Sequence, residues 1–126
     1  MPTVAAARAW VVEEMKRARI ESPFLTADLL LAHVLGWDRV NVLSRTDQIV
    51  PDKAWFRLQS LTARRIQGEP MQYLTGEKEF YGLFFRVTPG VLIPRPETEI
   101  LVEKAVSLIK TSSPKGVRFI DIGTGS

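Results

Sequence analysis

The sequence predicts an α-helical bundle at the N-terminus, a β-hairpin linker, and the truncated start of an α/β domain. Three observations predict it. Apolar residues recur three or four positions apart through the first 75 residues, the period changes to that of a strand after Thr75, and the chain then runs through an amphipathic pattern and an apolar stretch into a glycine turn. The expected divisions are 1–75, 76–93 and 94–126.

Within residues 4–20, Ala7, Trp10, Val11, Glu14, Met15 and Ala18 fall three or four apart along one mainly apolar face, leaving Glu13, Lys16 and Arg17 on the wet side. Ser22-Pro23 supplies a capping hydroxyl followed by a proline at the first helical position, where a missing amide hydrogen costs nothing. The helix opened there carries Ala27, Leu30, Leu31, Val34 and Leu35, and Gly36 is placed to close it in a left-handed conformation. Asp38 is expected to cap a short third turn carrying Val40 and Leu43. A fourth pattern runs from Pro51 through Trp55, Leu58, Leu61 and Thr62 to Ile66, with Arg57, Arg64 and Arg65 outside and Gly68 as the stop. Met71, Tyr73 and Leu74 are expected to pack the hinge that follows.

Residues 79–87 read as a hairpin with a two-residue turn at Gly82-Leu83. Its load of Phe80, Tyr81, Phe84 and Phe85 exceeds what a free ribbon needs, so one face is expected to press against another body. Pro94 and Pro96 oppose helix around Arg95 until the second proline opens one, with Ile100, Leu101, Ala105 and Leu108 inward. A polar loop at 111–116 precedes a buried-type strand at 117–122, and Gly123-Thr124-Gly125-Ser126 is a turn that delivers the chain toward a further helix. A single strand cannot cover both of its faces, so the sequence reads as the front portion of a longer protein. Its truncated sheet edge gives a route to self-association.

Composition narrows the chemistry. Seventeen Lys and Arg against fourteen Asp and Glu give +3 without a polybasic arm, so direct nucleic-acid binding and an anionic membrane surface have no strong electrostatic claim. With no cysteine, disulfides, thiolate metal sites and cysteine nucleophiles are excluded, and a cytoplasmic location is compatible. A single histidine offers no metal spacing and no triad of the usual kind, so no metal is expected. No apolar stretch approaches the roughly 18 residues of a membrane span, and no targeting segment is visible. Gly-Lys-Ser and Gly-Lys-Thr are absent, which excludes a phosphate loop in these residues.

Asp121, Gly123 and Gly125 form the strongest local signal. Glycines at the carboxyl end of a strand let the backbone pass close to a cofactor, and Asp121 either accepts a ligand hydrogen bond or merely caps the turn. The stretch Pro94-Arg95-Pro96-Glu97-Thr98-Glu99 joins a rigid backbone to a dense polar payload. Glu97 and Glu99 either compensate the unsatisfied amides of a helix start or edge a pocket. Thr98 and Arg95 carry the same ambiguity, as helix-end residue and solvent ion-pair partner or as pocket residues. His33 reads as structural, and Trp10, Trp37 and Trp55 as core or interhelical anchors. Arg64-Arg65 beside Gly68-Glu69-Pro70 either touches a partner or simply favours a helix C-terminus.

These segments together resemble one family. Arg64-Arg65-x-x-Gly68-Glu69-Pro70-Met71-Gln72-Tyr73-Leu74-x-Gly76, Phe80-Tyr81-Gly82 with Phe84-x-Arg86-Val87, the block Val91 to Glu99, and Asp121-Ile122-Gly123-Thr124-Gly125-Ser126 closely resemble the HemK/PrmC family. Its members are protein-(glutamine-N5) methyltransferases that act on class-I peptide chain release factors. The resemblance spans essentially the whole chain, most weakly over residues 1–60.

What the resemblance implies is a helical domain that contacts the release factor, a hairpin linker, and the truncated start of a Rossmann-like class I methyltransferase α/β domain binding S-adenosyl-L-methionine. It makes Asp121, Gly123 and Gly125 the cofactor candidates and Arg95, Pro96, Glu97 and Thr98 the pocket-rim candidates. The family's Asn-Pro-Pro-Tyr motif does not occur in these residues, so no catalytic residue is assigned. The fragment is expected to be inactive and not to bind the cofactor appreciably. Two other readings remain: a non-catalytic helical protein-binding module, and a methyltransferase acting on nucleic acid.

Overall fold

A computed structural model describes residues 1–112 and 116–125. Part of the polar loop expected at 111–116, and Ser126 of the expected glycine turn, lie outside the described residues. The chain divides into two compact units, Met1–Thr75 and Gly76–Ser126.

The first unit is helical. α1 (Val4–Arg17) starts at Thr3, whose hydroxyl oxygen accepts the Ala6 amide at 3.1 Å. The Val4 and Ala5 amides donate to the carbonyls of Gln48 and Thr46 at 2.8 and 2.9 Å, and Pro2 accepts the Val50 amide at 2.9 Å. Thr3 and Ile49 form an antiparallel bridge in the same place. The amide donors that a helix start leaves without partners are thus filled from residues 3 and 46–48.

α2 (Pro23–Leu35) is the hub: it packs on α1, α3 (Arg39–Ser44), α4 (Asp52–Ile66) and α5 (Met71–Thr75). Its apolar residues occur on most sides, as a central helix requires. Ala27, Leu30 and Leu31 meet Val4, Ala7, Val11 and Met15 of α1, Val42 of α3, and Leu58 and Leu61 of α4 in one core. Each fully buried leucine contributes roughly 1.5–3 kcal/mol relative to exposure. Trp10 and Trp55 pack on this core edge to face, with centroids 5.1 Å apart. Trp37, also against the core, lies 5.4 Å beneath the Arg45 guanidinium. Gly36 ends α2 at φ 67°, and the Trp37 amide returns to the Ala32 carbonyl at 3.0 Å.

Several expectations are corrected here. Ser22 does not cap α2 through its hydroxyl, because it sits in the left-handed region at φ 52° and ψ 57°. Side-chain capping needs an extended residue at that position, and Ser22 contributes only the ordinary first helical bond, its carbonyl accepting the Thr26 amide at 3.0 Å. Asp38 does cap α3, its Oδ1 accepting the Asn41 amide at 2.7 Å, but Val42 is the inward residue while Val40 and Leu43 are exposed. At the expected hinge, residues 71–75 form a short helix, with Met71 packed against the core. The Pro70 carbonyl accepts the Tyr73 and Leu74 amides, and Leu74 enters the core.

In the second unit, β1 (Glu77–Phe80) pairs antiparallel with β2 (Leu83–Arg86), from Glu77 opposite Arg86 to Phe80 opposite Leu83. The turn is therefore Tyr81-Gly82, one residue earlier than expected. Both residues have positive φ, 50° and 74°, the pattern of a type I′ turn, which matches the twist of the strands. Phe80 and Phe85 meet edge to face at 6.2 Å, while Leu83 and Phe84 are exposed.

α6 (Thr98–Thr111) follows the two prolines. None of its residues is buried: Ile100, Leu101 and Leu108, expected to face inward, are exposed, as is Ala105. The expected strand at 117–122 is not formed, since among the described residues no segment pairs with it. A parallel strand satisfies its amides only through neighbours.

Candidate functional site

The sequence-predicted residues fall in two places within the second unit. Arg95, Pro96, Glu97 and Thr98 form the approach to α6 and are exposed. The carbonyl of Arg95 accepts the Thr98 amide at 3.1 Å, that of Pro96 the Glu99 amide at 3.1 Å, and that of Glu97 the Ile100 amide at 3.3 Å. The chain thus begins to wind at Arg95, and Pro96 stands where its lack of an amide hydrogen costs nothing. Glu97 is the N-cap but makes no side-chain capping bond, which leaves its carboxylate outside the helix.

Asp121 lies elsewhere, on an open apolar groove of about 600 Å³ between α6 and residues 117–122. Leu101, Ala105 and Leu108 line its helical wall, and Val117 and Ile120 its other wall. Arg95 to Thr98 do not line it. Gly123 and Gly125 follow, both at φ 79°, with no atom of the described residues within 4 Å of where a side chain would stand. Their glycine requirement comes from the left-handed backbone and not from internal crowding. The side of the turn that a side chain would occupy is open.

The helical unit holds a feature that sequence reasoning missed. Asp28 is completely buried on α2, yet its Oδ1 lies 2.6 Å from Arg8 Nε and its Oδ2 3.0 Å from Arg39 Nε. One carboxylate therefore joins α1, α2 and α3 through two charge-assisted hydrogen bonds. The available signal was a lone acid inside the apolar stripe, between Ala27 and Leu29. Arg64 and Arg65, considered above as partner contacts, both engage Glu69: Arg64 Nη2 lies 2.6 Å from its carboxylate, and Arg65 Nη1 donates to its carbonyl at 3.2 Å. Arg57 Nη2 donates to His33 Nε2 at 3.1 Å, since a guanidinium has no acceptor. Among the described residues no group of three His, Cys, Asp or Glu could hold a metal, and no helix is long and apolar enough to cross a membrane.

A helical unit, then a hairpin, an amphipathic helix and an apolar run into a glycine turn together define a helical domain preceding a Rossmann-like start. Comparison with known proteins gives the family. The PrmC N-terminal domain matches residues 6–76, and the chain belongs to that family.

Relatives extend the similarity beyond that domain. The chain is 44% identical over 126 residues to the release factor glutamine methyltransferase of Burkholderia pseudomallei, covering 100% of this chain and 43% of that protein. It is 42% identical over 114 residues to that of Nitratidesulfovibrio vulgaris, covering 90% and 38%. With that of Bordetella pertussis it shares 46% over 107 residues, covering 82% and 38%. The chain thus spans about two-fifths of the length of the curated relatives it matches.

Proposed function

We propose that this chain is the N-terminal part of an S-adenosyl-L-methionine-dependent methyltransferase that modifies the glutamine side-chain amide of class-I release factors. The observation that carries the reading is that proteins named release factor glutamine methyltransferase match across both units, not only across the helical domain. The helical unit 1–75 would recognise the release factor, 76–93 would link, and 94–126 would begin the cofactor domain.

The glycine turn and Asp121 have the chemistry this reading needs. Gly123 and Gly125 offer an open left-handed backbone against which a flat or zwitterionic group can lie, and Asp121 offers an acceptor beside it. Arg95, Pro96, Glu97 and Thr98, which stand apart from the groove that holds Asp121, would edge the cofactor pocket only once the rest of the α/β domain completes it. When bound, S-adenosyl-L-methionine supplies a methyl group from a sulfonium. Nothing in these residues would activate the amide nitrogen, which needs alignment and polarising hydrogen bonds.

Isothermal titration of the 126-residue chain with S-adenosyl-L-methionine should show no measurable binding, and micromolar affinity would defeat the view that the pocket is incomplete here. A protein extended through the rest of the α/β domain should transfer labelled methyl to purified release factor and not to duplex DNA. Methylation of DNA alone would favour the nucleic-acid reading, and capture of release factor without transfer would favour a binding module.

A further inference from the structure

The Tyr81 amide donates to Glu99 Oε1 at 2.8 Å. Tyr81 is the first residue of the hairpin turn and is held at φ 50°, a conformation that a bulky side chain resists. Its amide points away from the ladder, whose last pair is Phe80 with Leu83, so the turn itself provides no acceptor. At the opposite end of the ribbon, the Val87 amide donates to the Gly76 carbonyl at 2.9 Å, and Val87 is buried. The chain leaving Val87 at the open end therefore has to travel back along the hairpin, about 13 Å for four residue pairs, before Glu99 can reach the tip. Residues 88–98 make that journey. They are shortened by the turn in which the Val91 amide meets the Thr88 carbonyl at 2.9 Å, and stiffened by Pro89, Pro94 and Pro96.

We propose that Glu99 is a positioning residue: by accepting the Tyr81 amide it pins the start of α6 to the hairpin tip. It thereby closes residues 88–98 into a strap that holds Arg95, Pro96 and Glu97 in one place. The hydrogen-bonded geometry stands without any ligand. Only the purpose of the strap, presenting those residues to a cofactor, rests on the function proposed above.

The alternative role for an acid in the first turn of a helix is its charge, which favours the unpaired amides there. Glu99→Gln separates the two, since it retains a carbonyl acceptor and loses the charge, whereas Glu99→Ala loses both. The test is amide hydrogen exchange at Tyr81 in the 126-residue chain, together with cleavage after Glu97 by a glutamyl endopeptidase. Both readouts work without cofactor, so failure of the methyltransferase reading leaves them interpretable.

Glu99→Ala should raise Tyr81 exchange and Glu97 cleavage together, each roughly tenfold, as expected for losing one charge-assisted hydrogen bond. Glu99→Gln, which keeps a neutral bond of about half that strength, should raise both by no more than about threefold. All three tryptophans precede Thr75, so their fluorescence checks that the helical unit is unaffected. Equal behaviour of the two variants would assign the effect to helix-end charge and overturn the proposal. So would unchanged Tyr81 exchange in Glu99→Ala. Should Glu99→Ala lose α6 altogether, the glutamine variant decides alone: a rise of no more than about threefold in both readouts supports the proposal, and a rise of about tenfold or more overturns it.

Discussion

Replacing Asp28 by asparagine should be among the costliest isosteric changes available in the helical unit. The carboxylate has 0% exposure, while the side chains of Arg8 and Arg39 are 27% and 50% exposed. An asparagine keeps one oxygen acceptor but turns an NH₂ toward the second guanidinium, so one charge-assisted bond is lost and two donors face each other. Such a bond contributes about 1.5–3 kcal/mol. Removing one partner of a fully buried pair costs about 3–5 kcal/mol, but here both arginines can rehydrate, which places the expected loss at about 2–3 kcal/mol. A unit of this size seldom has more than roughly 3–5 kcal/mol in its core, so most of its stability would go. Urea unfolding followed by tryptophan fluorescence should show a midpoint lower by about 2 M or more. Melting should fall by roughly 10–20 °C. The difference should persist at 1 M salt, because water and ions do not reach the carboxylate. A loss below about 0.5 kcal/mol, the range of exposed ion pairs, would refute the argument that burial makes this carboxylate matter.

Other substitutions test other parts of the fold. Leu58→Ala, at a fully buried core position, should cost about 2–5 kcal/mol by the same urea assay. Ser22→Gly should stabilise α2 by up to about 1 kcal/mol, because the left-handed strain is relieved and no side-chain cap is lost; a destabilisation of that size would restore the capping role. Tyr81→Asn should favour the type I′ turn, read as slower amide exchange within the paired strand residues, whereas Gly82→Ala should weaken it by about 1 kcal/mol.

The helices were legible because their signals are local. Proline at a helix start, Gly36 at a helix end and Asp38 before a short turn each act within four residues, and the structure uses all three. Ser22 misled because the dipeptide Ser-Pro does not reveal the backbone angles of its serine, and those angles decide whether the hydroxyl can reach an amide. The hairpin was visible in its alternation, but the turn slipped by one residue: a glycine suits the first central position of one primed turn and the second of the other. The α6 stripe was read correctly as apolar, yet its inward direction depended on a covering layer that these residues do not form. Asp28 escaped because its partners are 20 and 11 positions away and only folding brings them to it. The Gly123 and Gly125 turn was legible as a backbone need, whereas its proximity to any ligand is not a property that spacing encodes.

Residues 2–5, held between the start of α1 and the segment 46–50, have a practical consequence for handling this protein. Met1 projects into solvent at 77% exposure, so an affinity tag appended there begins outside the fold and should be harmless. Trimming the first five residues is a different matter. It would delete Val4 from the core and unfasten the loop that precedes α4, turning a tidy-looking truncation into a destabilising one.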